Sequence, residues 1–470
     1  MNPTLRRWLY CLGISCLTVA TVTPARGQPT LREKLGQMVM VTVTGDSLES
    51  SSPSMDTLKS DLSRGLVGGL VMFTWSNNLK SPGQIAHLTS QIQHRSAVPL
   101  LLAIDEEGGK VARLGTANGF AATPSAYQMG TVVNSEGYTR SVASQMASWF
   151  VQTGLNINFA PVVDLNVNPS SPAIGALGRS FSANADSVVL NAGWFIDEFH
   201  KRNICTTLKH FPGHGSATAD SHLGFTDVTT SWTAAELIPY SRLLERGSVD
   251  AVMTAHVFNA HLDSLYPATL SFATITGILR NQLGYAGVVF SDEMSMKAIT
   301  DKYGLDAAME LAVSAGVDML VYSRNLDSTG HSLAAHVVDV LEEGVRAGRI
   351  PVARITASYE RIAALKNRLV TGATARMIPE ASDRPFLVNF PNPFNPTTTI
   401  GFGVPGSGWT LVDLTVYDLL GRAVAVLMHG SMSAGKYTIP FDASGMASGM
   451  YLCRLTVGRA TAVHRIMLVR

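Results

Sequence analysis

Eight short apolar runs, rich in β-branched residues and separated by helical patterns, constrain this chain more than any other feature. They are Gln37–Val43, Val67–Phe73, Pro99–Asp105, Ile157–Asp164, Cys205–Phe211, Ala251–Val257, Gly287–Asp292 and Asp318–Ser323. Runs without polar alternation belong to strands buried on both faces, as in a parallel sheet. Between them, Ser81-Pro82 opens a helix with Ile85, Leu88 and Ile92 on one stripe. A second helix is expected from about Glu136 to Phe150, stopping at Gly154, and a third behind a capping box of Thr233 and Glu236. This alternation predicts an α/β fold, a TIM-type (β/α)8 barrel. The competing doubly wound sheet lacks a G-x-G-x-x-G after its first strand.

The barrel expectation is testable within the sequence, because sites in such barrels gather at the C-terminal strand ends. Strand three ends in Asp105-Glu106-Glu107 and strand four in Asp164. Strand five ends in Lys209-His210, strand six in His256, and strand seven in Ser291-Asp292-Glu293. A single such residue is often only a helix cap. Five on one rim require another explanation.

The ends of the chain differ from its middle. Arg6 and Arg7 precede an apolar stretch from Trp8 to about Val22, with small residues before Gln28, so residues 1–27 read as a signal peptide. The barrel is expected over 28–372, a linker over 373–385 and a small all-β sandwich over 386–470. In that last part Leu414 and Val416 alternate with polar residues, Gly421 marks a turn, and Tyr437–Ile439 and Tyr451–Val457 read as strands. Of four cysteines, Cys205 and Cys453 remain after the signal, too few for a disulfide framework or a cysteine metal site. A net charge of +1 without a basic run gives no footprint for nucleic acid.

Residues 209–224 carry Lys209, His210, His214, Asp220 and His222 among three glycines and a proline, an irregular loop suited to proton transfer. Asp220-x-His222 fits a dyad in which the carboxylate fixes the imidazole tautomer, but equally an Asx-turn loop with an exposed histidine. The spacing of His210, His214 and His222 matches no compact zinc pattern.

The chain resembles the single-barrel β-N-acetylhexosaminidases of glycoside hydrolase family 3. The motifs are I-D-E-E-G-G-K-V-A-R (104–113), N-F-A-P-V-V-D (158–164), G-R-S-F-S (178–182), K-H-F-P-G-H-G with D-S-H (209–222), V-M-T-A-H (252–256) and F-S-D-E-M-S-M (290–296). The resemblance implies Asp292 as nucleophile, His222 as general acid/base and Asp220 as its partner. It implies Asp105, Arg113, Arg179, Lys209 and His210 as holders of the sugar, with no cofactor or metal. The chain departs from the family at Glu106 (usually Gln), Lys110 (usually Arg) and Glu293 (usually Asp). Glu293 is expected to point away from Asp292 by strand alternation. The implied reaction is retaining removal of terminal β-linked N-acetylglucosamine from peptidoglycan fragments or chitooligosaccharides by a monomer. A glycoside phosphorylase and a β-glucosidase of the same family are the alternatives. N-F-P-N-P-F-N-P-T-T-T-I (389–400), V-Y-D-L-L-G-R (416–422) and A-S-G-M-Y-L-C-R-L (447–455) resemble type IX secretion sorting domains. That implies secretion machinery as a partner and a secreted or cell-surface product; a carbohydrate-binding sandwich is the other reading.

Overall fold

The structure is a computed structural model that describes residues 29–221, 223–371, 385–390, 392 and 394–469. The expected signal peptide and, apart from Pro385, the expected linker lie outside these residues, as does His222.

All eight apolar runs form strands: β1 (Val39–Val41), β2 (Gly69–Met72), β3 (Leu101–Ile104), β4 (Ile157–Asn158), β5 (Cys205–Phe211), β6 (Ala251–Thr254), β7 (Val288–Glu293) and β8 (Met319–Val321). They pair in parallel and in chain order, and β1 also pairs with β8, so the sheet closes into a barrel. Helices lie between consecutive strands. The one at Pro82–Arg95 starts on Ser81, whose hydroxyl accepts from the Gln84 N–H, and buries Ile85, Leu88, Thr89 and Ile92. Glu136–Thr153 ends at Gly154 in the left-handed region, as a terminating glycine should.

The capping box at Thr233 is corrected. The Thr233 hydroxyl makes no cap bond, and a short 3-10 turn, Ala234–Leu237, precedes the helix Ile238–Glu245. Glu236 is buried and turned inward, where its Oε2 accepts from the Gly215 N–H at 3.2 Å.

Beyond the barrel come five antiparallel strands: β9 (Leu387–Phe390), β10 (Thr397–Tyr417), β11 (Ala423–Asp442), β12 (Gly449–Val457) and β13 (Ala460–Leu468). β10 pairs with β9, β11 and β12, and β12 with β13. The sheet curls so that its ends meet: the Phe394 N–H donates to Met467 O at 2.9 Å, and Val469 N–H to Phe394 O at 2.9 Å. Cys453 lies in this core and Cys205 in that of the barrel. The sheet rests on the N-terminal end of the barrel, away from the strand ends that carry the ionisable residues. There Trp409 Nε1 donates to Tyr359 Oη at 3.1 Å, and Ser431 Oγ to Ala97 O at 2.8 Å.

Candidate active site

A short hairpin begins where β3 ends. Glu106–Gly108 pairs with Val111–Ala112, which brings the Arg113 N–H back to Asp105 O at 3.3 Å. Asp105 and Arg113 therefore stand side by side at the barrel mouth, their charged groups 3.7 Å apart. Lys209 arrives from β5, and its Nζ lies 2.7 Å from both Asp105 Oδ1 and Glu107 Oε1. Arg179 follows the turn Gly175–Leu177 and grips Glu107 through Nε and Nη2, each at 2.8 Å. Read singly, these cations look like solvated surface charges; Lys209 and Arg179 are only 1% and 9% exposed. Burial is tolerated because every charge has a partner.

The electrostatics follow from this pairing. Burial would raise the Glu107 carboxyl, but Arg179 and Lys209 outweigh it and hold the group well below the usual carboxylate range. Asp105 is lowered in the same way by Lys209 and Arg113. Glu106 behaves oppositely. It is fully buried, its Oε2 accepts from the Leu114 N–H at 2.8 Å, and Oε1 has no partner among the described residues. Burial pushes its carboxyl up to about 8. Protonated, it presents the same shape and polarity as the glutamine usual in the family. Lys110 is exposed and reaches Ala176 O.

His210 sits between Asp164 and Arg179. Its Nδ1 lies 2.7 Å from Asp164 Oδ2, and Arg179 Nη2 lies 3.1 Å from its Nε2. These partners place the hydrogen on Nδ1. Asp164 also accepts from the backbone N–H groups of His210 and His214. One carboxylate thus fixes the start of the 209–224 loop. Burial would raise Asp164, but His210 outweighs it and the carboxyl stays low.

Two glycines of this loop, Gly213 and Gly215, are needed for close packing. A Cβ on Gly215 would meet Leu165 O at 1.7 Å, and Gly213 has φ +127° against the Glu236 side chain. His214 is buried, with its Nε2 3.0 Å from Ser221 Oγ, which ties the anchored half to the exposed half. Asp220 lies half-buried on that outer half, where its carbonyl accepts from the Leu223 N–H at 3.0 Å.

Six of the eight expected site residues, Asp105, Arg113, Arg179, Lys209, His210 and Asp292, line one cavity of about 410 Å³ at the barrel mouth. Asp220 is not part of its lining, and His222 lies outside the described residues. Glu293 corrects the alternation argument, because it lines the same cavity as Asp292. The register of β7 against β8 shifts between Phe290 and Glu293, and such an irregularity breaks the two-residue alternation. The Glu293 carboxylate is nonetheless occupied: Oε1 accepts from Ser323 N–H and Oγ at 3.0 and 3.1 Å. His256 backs this strand end, its Nε2 2.9 Å from Glu293 O.

Two residues of the site, Glu107 and Asp164, were noted in the sequence only as strand-end acids and given no role. Both stand in strand-end motifs already noted, and acidic residues beside basic ones at a barrel rim were the available signal.

Residues 30–365 match the family described as "Glycosyl hydrolase family 3 N terminal domain". The chain belongs to glycosyl hydrolase family 3. Residues 389–469 of this family 3 chain match the "Secretion system C-terminal sorting domain". Beta-hexosaminidase A of Pseudoalteromonas piscicida is 32% identical over 393 residues, 76% of this chain and 64% of that protein. The beta-hexosaminidase of Haemophilus influenzae is 34% identical over 289 residues, 60% of this chain and 78% of that one. A solved family 3 β-N-acetylglucosaminidase from a Paenibacillus species superposes with a TM-score of 0.66 at 36% identity, over 73% of this chain and 63% of that one. The family 3 chain thus spans less than two thirds of the Pseudoalteromonas and Paenibacillus proteins.

Proposed function

We propose that this chain is a retaining β-N-acetylhexosaminidase that removes terminal β-linked N-acetylglucosamine from oligosaccharides. The observation that carries the reading is one cavity that Asp292 shares with a floor of paired charges, Asp105, Arg113, Arg179 and Lys209, the last two of them buried. Carboxylate oxygens accept from sugar hydroxyls, and guanidinium and ammonium groups donate to them. Because these side chains already hold one another, little is reorganised when a sugar replaces water. The names of the beta-hexosaminidases among the relatives favour an N-acetylated sugar over glucose.

In the proposed reaction Asp292 attacks the anomeric carbon while His222, oriented by Asp220, protonates the departing oxygen. Water then attacks the glycosyl-Asp292 ester as neutral His222 takes its proton. A histidine suits both roles because its charge changes near neutral pH. The anchored half of the loop, fixed by Asp164 and Glu236, gives the outer half a defined base from which to act. The C-terminal sheet serves export to the cell surface or medium, and its seat on the far end of the barrel leaves the mouth open.

A panel of aryl glycosides tests the reading. Turnover of the N-acetyl-β-glucosaminide with little of the β-glucoside is expected, with free sugar as product in phosphate and non-phosphate buffers alike. Preference for the glucoside, or a sugar phosphate as product, contradicts it.

A further inference from the structure

The cavity has a second wall that the chemistry above leaves unused. Trp75 lines it and is 63% exposed, whereas the charged floor residues Arg179 and Lys209 are buried. An indole this exposed forgoes much of the stabilisation that burial gives a large ring. Its backbone is nevertheless held firmly. The turn Thr74–Ser76 follows β2 directly, Ser76 and Asn78 are completely buried, and Ser76 O accepts from the Gly45 N–H at 3.0 Å. Asn78 Nδ2 donates to Val43 O at 2.8 Å. A rigid turn thus presents an aromatic face to solvent at the edge of the cavity.

The ring is also coupled to the floor. Trp75 stacks on Phe73 with centroids 5.1 Å apart and planes 17° from parallel. The Arg113 guanidinium lies 5.9 Å from the Phe73 centroid, and Arg113 pairs with Asp105. The path from rim to floor therefore runs Trp75, Phe73, Arg113, Asp105. A sugar held by the floor presents its glycosidic bond toward the mouth, so the next ring of an oligosaccharide passes the rim.

We propose that Trp75 is the platform on which the sugar of the leaving group stacks, a subsite for the reducing-side residue of an oligosaccharide. The inference rests on the proposed glycosidase function. Pyranose rings carry an apolar face of axial C–H groups, which a flat exposed indole matches. The subsite favours substrates with a sugar as leaving group over those with a small one.

The test compares N-acetyl-chitotriose with N-acetyl-β-glucosaminyl fluoride, whose leaving group has no ring to stack. Trp75→Ala is expected to lower kcat/KM on the trisaccharide roughly tenfold more than on the fluoride, through KM, with Trp75→Phe restoring most of the difference. Equal losses on both substrates, or no loss on the trisaccharide, overturn the subsite. Wild-type turnover of the fluoride reports on the function alone, so its absence refutes the function and the subsite with it.

Discussion

Glu107 holds Arg179 with both carboxylate oxygens, at 2.8 Å each, and the same carboxylate takes Lys209 at 2.7 Å. Two buried cations of the cavity floor thus depend on one acid, and removing it leaves both underpaired. Glu107→Gln keeps the volume and removes the charge. Loss of one partner from a buried pair costs about 3–5 kcal/mol. The variant should unfold at markedly lower denaturant concentration and lose most of its kcat/KM. A stability unchanged within error in urea titration would mean that the pairing does not hold the floor.

Glu106 sets a pH dependence of stability. Its carboxyl is raised to about 8 by burial, against 4.5 for an ordinary glutamate. The native state therefore keeps a proton that the unfolded chain releases. Stability from this group is complete below the unfolded value and is lost as pH rises through about 8. Glu106→Gln removes the loss, so its thermal advantage over wild type should grow from about pH 5 to about pH 8, approaching roughly 4 kcal/mol. Melting curves across that range check it; a constant difference would mean Glu106 titrates normally.

His214 acts in the opposite direction. Burial lowers it from 6.5 to about 4. Here the unfolded chain binds the proton first, so stability present above 6.5 is lost as pH falls toward about 4. His214→Gln should flatten the acid limb of the stability profile in circular dichroism melts. An identical acid limb in the variant would remove His214 as its cause.

The C-terminal sheet has its own core and meets the barrel at the end opposite the cavity. Deleting residues 386–470 should leave aryl-glycoside turnover intact and retain the enzyme in the periplasm on cell fractionation. Normal surface delivery of the truncated chain would refute the sorting role.

Much of this was legible in the sequence because barrel strands announce themselves. Val67–Phe73 and Ala251–Met253 carry no polar side chain, and such short runs between helical patterns suit strands covered on both faces. Asp105, Lys209 and Asp292 were legible for a related reason, since ionisable residues ending such strands have few structural uses. The partners of these residues were not. Glu107 belongs to Arg179 across 72 positions, and Asp164 to His210 across 46, separations that no local pattern encodes. The expected opposite facing of Glu293 and Asp292 failed because ideal alternation assumes a regular register, which β7 abandons after Phe290. The Thr233 capping box failed in its hydroxyl half, where a short 3-10 turn follows Thr233, and Glu236 is also engaged by the Gly215 backbone, a tertiary contact that no local motif encodes.

The proposed function requires a covalent glycosyl-enzyme on Asp292. The chain is incubated with a slow fluorinated N-acetylglucosaminide, digested, and its labelled peptide sequenced by mass spectrometry. The label is predicted on Asp292, with no labelling and no turnover in Asp292→Asn. A label on Glu293 or any other residue, or undiminished turnover in the variant, would rule out Asp292 as the nucleophile.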